Sequence, residues 1–221
     1  MRDKIKRFRE IAERFNVVNP EKVIYESIKG LWCQYQFKND HAIVLELACG
    51  RGEYTIGLAS QFPNKNFVGV DIKGDRIWVG SSRAIADDLN NVAFLRTQIQ
   101  FLDKFFEKEE VSEIWITFPD PRPKLRDEKH RLTNNRYLDL YKCILRKNGY
   151  VHFKTDNTAL YAYTLETLDS RNDIHHLLKT DDLYNSPYND LHFGIKTKYE
   201  NKFASLGEKI KYIRFQFNGN Q

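Results

Sequence analysis

The sequence predicts an α/β fold, a doubly wound and mostly parallel sheet with helices on both faces. Two observations carry the expectation. Short β-branched or aromatic runs alternate with helix-compatible stretches four times over, and a Gly-x-Gly turn follows directly on the first of those runs. Strand, helix and strand in that order build parallel crossovers, and the first turn of such a sheet is where a ligand approaches the backbone.

The elements follow in order. AIVLEL at 42–47, NFVGVD at 66–71, VAFLR at 92–96, EIWITF at 113–118 and YVHFKTD at 150–156 are near-continuous apolar runs, the pattern of strands covered on both faces. Between them, helices are expected at 52–61, ending before Pro63, at 75–89, at 98–108 and at 134–146. In the last of these Leu138, Tyr141 and Leu145 share one face and Gly149 lies beyond the end. Residues 157–169 read as a further helix. HHLLKT at 175–180, LHFGIK at 191–196 and KIKYIRFQF at 209–217 read as later strands, including an antiparallel member. Residues 1–40 hold a basic amphipathic helix and a mixed segment with Pro20 and Trp32, an extension to a domain spanning 41–221. No linker separates the two, and no internal repeat appears.

With 221 residues, 41% apolar and 29% charged, the chain can bury a sizeable core, which rules out disorder throughout. No stretch is apolar enough to span a membrane, and the first residues run into alternating charge without an apolar signal core, so a soluble cytoplasmic protein is expected. Cys33, Cys49 and Cys143 lie far apart without a CxxC pair. Neither a disulfide framework nor a metal site is expected, and each cysteine reads as a small buried side chain. The net charge of +5 is unevenly placed: segments 1–14, 122–136 and 194–214 carry +3, +4 and +4, leaving −6 for the rest. An acidic body with three basic segments suits a polyanion if the segments converge; the other reading is three solvated faces.

In the turn ELACGRGEY, Gly50 and Gly52 permit backbone angles closed to other residues. The third glycine of a dinucleotide fingerprint is replaced by Thr55, so a ligand without a pyrophosphate fits better. Glu46 places a carboxylate on the strand before the turn, and Asp71 closes the second strand at the distance of a ribose acceptor. Two acids suit a nucleoside that carries positive charge, and S-adenosylmethionine, with its ammonium, sulfonium and ribose diol, is such a molecule. The alternative is that both acids only cap strand ends. After the fourth strand comes ITFPDPRPKLRDEKHR. Pro119 and Pro121 stiffen the backbone around Asp120, which suits a positioned carboxylate, or else a rigid loop with a solvated acid. Lys124, Arg126, Lys129 and Arg131 follow as phosphate-seeking cations, with His130 among them as a surface contact.

These segments together resemble the bacterial tRNA (guanine-N7-)-methyltransferases, the TrmB family, from about residue 20 to residue 215. The matching motifs are E-x-x-x-G-x-G at Glu46 to Gly52, P-D-P-x-x-K at Pro119 to Lys124 with the basic RDEKHR stretch, KTDN at Lys154 to Asn157, and TKYENKF at Thr197 to Phe203. The first is generic to methyltransferases, and the other three in this order are specific to the family. The resemblance implies a Rossmann-like class I S-adenosylmethionine-dependent methyltransferase with a seven-stranded sheet. It implies methyl transfer to N7 of the variable-loop guanosine at position 46 of tRNA, releasing S-adenosylhomocysteine. By position it places Glu46, Asp71, Gln98 and Asp120 at the cofactor, alongside Gly50 and Gly52 of the turn, with Asp120 also the catalytic acid. Lys124, Asp156, Thr197 and Glu200 are placed at the RNA or its guanine. Two residues depart from the family pattern: Arg122 stands where Trp is usual, and Gln98 where Asp or Asn is common.

Two other functions compete. A nicotinamide-dependent oxidoreductase requires the phosphate-cradling glycine that Thr55 replaces. A noncatalytic RNA-binding module with a methyltransferase-like fold keeps the basic segments but has no use for the acids. A monomer and a homodimer are equally open.

Overall fold

The computed structural model describes residues 2–218, with side chains from residue 5 onward, so the side chain of Arg2 lies outside the described residues. The chain runs α1 (Arg2–Glu13), β1 (Val17–Val18), β2 (Ala42–Leu47), α2 (Glu53–Gln61), β3 (Lys65–Asp71), α3 (Gly74–Ala86), β4 (Val92–Arg96) and β5 (Val111–Thr117). It continues with α4 (Asn135–Ile144), β6 (Leu145–Thr155), α5 (Thr158–Asp169), β7 (Ile174–Thr180), α6 (Lys198–Ala204) and β8 (Lys211–Phe217). These strands form one sheet in the order β1-β4-β3-β2-β5-β6-β8-β7, in which only the β6–β8 and β8–β7 pairings are antiparallel. The expected doubly wound sheet is therefore present.

Alternation along the strands divides the core into two layers. Ile43, Leu45 and Leu47 of β2 face one layer, with Tyr137, Leu138, Tyr141 and Ile144 of α4 and Leu160 of α5. Val44 faces the other, with Tyr54, Ile56 and Leu58 of α2, Ile77 of α3 and Ile11 of α1. The strand order reverses between β2 and β5, so the ends of β2, β3 and β5 open onto one crevice.

The sheet has eight strands rather than seven. Val17 and Val18 pair with Phe94 and Leu95, which extends the sheet beyond β4 with a two-residue strand too short to show a period in the sequence. The first forty residues also supply Trp32, whose ring stacks on Phe106 at 5.2 Å and whose indole N–H donates to the Phe105 carbonyl at 2.8 Å. Helix α1 packs on α3, where the absent side chain of Gly74 leaves room for Ile11 and Phe8.

Three further expectations are corrected. The stretch 98–108 forms only a short 3-10 helix over Ile99–Lys104, kinked at Phe101. LHFGIK is not a strand: a 3-10 turn over Asn189–His192 is followed by Phe193 and Gly194, both in left-handed conformations that a strand does not contain. Cys143 is exposed on α4, whereas Cys49 is buried and Cys33 half-buried. Among the described residues, no helix is long and apolar enough to cross a membrane and no group of three His, Cys, Asp or Glu side chains could hold a metal ion.

Candidate functional site

Two adjoining cavities lie in the crevice at the strand ends. The larger, about 530 Å³, is lined by Glu46, Ala48 and Gly50 of the β2–α2 turn, by Thr117 and Phe118 at the end of β5, and by Thr197 and Tyr199 at the start of α6. The smaller, about 240 Å³, is lined by Asp71, Thr97, Gln98, Asp120, Arg122 and Tyr137, among others, and Ala48 borders both. Volumes of this order match sites that enclose a small organic molecule, about 300–1,000 Å³.

The turn after β2 sets the geometry. Ala48, Gly50 and Gly52 all take positive φ, at 56°, 57° and 66°. The two glycines serve different ends. A methylene on Gly50 would meet nothing nearer than Arg76 Nη1 at 4.0 Å, and Gly50 faces the larger cavity. On Gly52 it would sit 2.6 Å from the Phe94 ring, so this glycine permits α2 to approach β4. Gly52 does not border either cavity.

Glu46 is buried at 3% exposure and its oxygens are engaged. One accepts from the Thr117 hydroxyl at 2.8 Å; the other accepts from the Thr55 backbone N–H at 2.8 Å and from the Thr55 hydroxyl. Burial pushes its carboxyl up to about 7, against the opposing effect of these donors. Thr55, which displaced the expected glycine, is thus a ligand of Glu46. Asp71 at the end of β3 accepts from the Gly50 N–H at 2.9 Å and the Lys73 N–H at 2.8 Å, which fixes the carboxylate against the turn. Gln98 is exposed at the smaller cavity, where its side-chain oxygen accepts from Gln100 at 2.9 Å.

Asp120 stands on the rim with its side chain 63% exposed. It accepts from the backbone N–H of Arg122 and pairs with the Arg122 guanidinium, both at 3.2 Å. Flanking residues Phe118 and Arg122 have φ of 50° and 47°, unusual for side-chain-bearing residues, so the Pro-Asp-Pro segment is sharply turned at both ends. The guanidinium that replaces the family's indole thus sits as a counter-ion beside the acid.

The residues expected at the RNA are spread around this crevice. Thr197 lines the larger cavity and caps α6 in a reciprocal capping box with Glu200. Asp156 borders neither cavity but accepts from the hydroxyl of Tyr199, a cavity residue, at 3.2 Å. Lys124 is exposed at the start of the 3-10 turn Leu125–His130, away from both cavities. Glu200 is wholly buried and ion-paired with Lys154 at 2.7 Å. The three basic segments do converge: Arg7 and Lys198 line the larger cavity and Arg122 and His130 the smaller. Sequence reasoning had not singled out Arg7, Glu53, Arg76, Thr117 or Tyr199. Thr117, at a strand's carboxyl end, Glu53, inside the glycine turn, and Tyr199, inside the TKYENKF motif, carried a signal that could have found them.

The site tests well for a cationic nucleoside. It has carboxylates at three strand ends, a glycine whose missing side chain leaves the wall open, and two lobes meeting at one alanine. Comparison with known proteins agrees. Residues 40–213 match the family described as "Putative methyltransferase". The chain is 47% identical over 217 residues to the tRNA (guanine-N(7)-)-methyltransferase of Cytophaga hutchinsonii, with 98% of both chains covered. It is 46% identical over 222 residues to that of Christiangramia forsetii, covering 97% of this chain and 98% of the relative. Among solved structures, a 16S rRNA methyltransferase shares the fold at a TM-score of 0.59 and 12% identity, over 81% of this chain and 88% of that one. With the strand-end acids, the Pro-Asp-Pro rim and relatives of nearly equal length, the chain belongs to the tRNA (guanine-N(7)-)-methyltransferase family.

Proposed function

We propose that this protein transfers a methyl group from S-adenosylmethionine to N7 of a guanosine in tRNA, the variable-loop guanosine at position 46. The observation that carries the reading is the crevice itself, in which carboxylates at three strand ends and cations from three distant segments surround two joined cavities. Identity over nearly the whole length of the tRNA-methylating relatives supports the same substrate. A tRNA substrate is consistent with a cytoplasmic enzyme.

When bound, the donor supplies a methyl group on a positively charged sulfur. Guanine N7 carries a free lone pair at neutral pH, so the chain need not provide a strong base. Its work is to bring the partners to attack distance, exclude water and favour positive charge as it passes to the purine. Asp71 and Gln98 would hold the nucleoside end, with Asp71 accepting from a ribose diol. Glu46 and the open wall at Gly50 would hold the charged end. Asp120 would face both partners from the rim, as an acceptor for the guanine amino edge or for the donor's ammonium. Its pairing with Arg122 is between exposed groups and is worth at most about 1 kcal/mol, so the acid is readily passed to another partner. Thr197 and Asp156, with Tyr199 between them, would bound the guanine, Glu200 would support Thr197 through the helix cap, and Lys124 would take phosphate.

The test is incubation with labelled S-adenosylmethionine and unmodified tRNA, followed by chain cleavage at 7-methylguanosine. Label at the variable-loop guanosine supports the reading. Label at another atom, or none while relatives act under the same conditions, sinks it. Stabilisation by S-adenosylhomocysteine but not by NAD separates it from the oxidoreductase alternative.

A further inference from the structure

Lys154 is buried at 0% exposure in the middle of the protein, and nothing above gives it a task. It lies on β6, two residues before Asp156, and its ammonium reaches behind the larger cavity to Glu200 Oε1 at 2.7 Å. Glu200 is equally buried, and the same oxygen accepts from the Tyr184 hydroxyl while its other oxygen accepts from the Thr197 N–H at 3.2 Å. The ammonium also lies 5.0 Å from the Tyr54 ring centre and 5.7 Å from that of Phe118. Apart from the ion pair, no directed hydrogen bond satisfies it among the described residues. Burial pushes the Lys154 ammonium downward, and Glu200 opposes that shift.

A buried pair of this kind costs desolvation on both sides and is a poor route to stability, whereas removing one member strands the other charge. Its value lies in what it fixes. Helix α6 has only seven residues, and its first turn carries Thr197 and Tyr199 into the cavity wall. Among the described residues four ties hold that turn: Glu53 accepts from the Lys198 N–H at 3.0 Å, Asp156 accepts from Tyr199, and Glu200 is held by both the Tyr184 hydroxyl and Lys154. Of these, the Lys154–Glu200 pair alone is sealed from water at both ends.

We propose that Lys154 is a positioning residue for methyl transfer: through Glu200 it fixes the first turn of α6 as the wall against which the target guanine is set. The inference rests on the proposed function and gives that site a rigid back. It predicts a split between the two substrates, because α6 supplies the wall for the guanine and none of Glu46, Gly50, Asp71 and Gln98, the residues proposed to hold the donor.

The experiment compares wild type, Lys154→Met and Lys154→Arg. It reads steady-state methyl transfer to tRNA, binding of S-adenosylhomocysteine by calorimetry, and hydrogen exchange of the α6 amides. Lys154→Met should lose protection in α6 and lower kcat/KM for tRNA about tenfold or more, with S-adenosylhomocysteine affinity within about twofold of wild type. Lys154→Arg keeps a cation for Glu200, so α6 protection and kcat/KM should both move back toward wild type. If Lys154→Met does not fold, Lys154→Arg decides alone, with kcat/KM for tRNA and α6 protection expected to hold or fall together while S-adenosylhomocysteine affinity is kept. Unchanged kcat/KM in a folded Lys154→Met, or parallel loss of both substrates, overturns the proposal. So does a Lys154→Arg variant whose turnover is lost while α6 stays protected. Wild type that binds S-adenosylhomocysteine but never methylates tRNA would instead overturn the proposed function.

Discussion

Asp120 and Glu46 are both acids at the ends of neighbouring strands, yet one stands in water and the other in the protein interior. Asp120 is held by an exposed guanidinium and one backbone N–H, with its side chain mostly open to solvent. Glu46 is enclosed by Thr55 and Thr117, and burial pushes its carboxyl up to about 7. The difference teaches that a crevice of this kind separates two tasks. The rim acid is available to partners that come and go, and the interior acid shapes the wall and answers to pH.

Several substitutions would break or sharpen that contrast. The largest effect is expected for Asp120→Ala: kcat for tRNA methylation should fall by about 100-fold or more, the scale of losing one preorganised electrostatic group. Because the side chain is exposed, the melting temperature should be nearly unchanged. Near-wild-type turnover would remove Asp120 from the mechanism.

Glu46 should show the opposite balance. Its folded-state carboxyl binds a proton more tightly than an unfolded glutamate does, with a value of about 7 against 4.5. The cost of ionising it in place is therefore absent below about pH 4.5, grows as pH rises through about 7, and reaches about 3 kcal/mol. Glu46→Gln should flatten that fall in stability across pH 4.5 to 7. It should also abolish a rise in donor affinity through pH 7, since only the carboxylate attracts a cation. Calorimetry at several pH values checks both, and a Glu46→Gln profile parallel to wild type would refute them.

His152 runs the other way, two strands along from Glu46 on the same face of the sheet. Stacked on Trp115 at 3.8 Å and bonded to the Tyr212 hydroxyl at 2.7 Å, it is held down by burial to about 4 from 6.5. The native state thus resists a proton that the unfolded chain accepts. Its contribution is present above pH 6.5 and lost as pH falls towards 4, again about 3 kcal/mol. His152→Gln should remove that acid-limb dependence in a denaturation series.

The smallest effect is expected at Lys124, exposed beyond both cavities. Lys124→Ala should weaken tRNA binding a fewfold and lower the salt-dependence slope by about 1, leaving S-adenosylhomocysteine affinity intact. Equal loss of both ligands would assign Lys124 to the pocket instead.

Much of this architecture was legible in the sequence for physical reasons. Strands buried on both faces advertise themselves as apolar runs, and β2 to β6 were readable for that cause. Val17–Val18 was not, because two residues carry no period; nor was the turn at Phe193, whose left-handed backbone has no marker beyond the adjacent Gly194. Within the site, Glu46, Asp71 and Asp120 stand at strand ends, where position alone predicts a role. Arg7 reaches the cavity only because α1 folds back on α3, a long-range contact that no local pattern encodes. The separate duties of Gly50 and Gly52 likewise depend on Phe94, some forty residues away.

The sheet order has a consequence for biosynthesis. Among the described residues β7 pairs with β8 alone, and β8 leaves the ribosome after it. Until then β7 is an unpaired edge, and the Tyr212 that closes on His152 has yet to be translated. The donor-facing half can assemble early, while the edge beyond β6 stays vulnerable to chaperones, proteases and aggregation for as long as elongation pauses between the two. Slow codons placed between residues 181 and 210 should therefore lower the yield of folded enzyme more than the same codons placed upstream of β2.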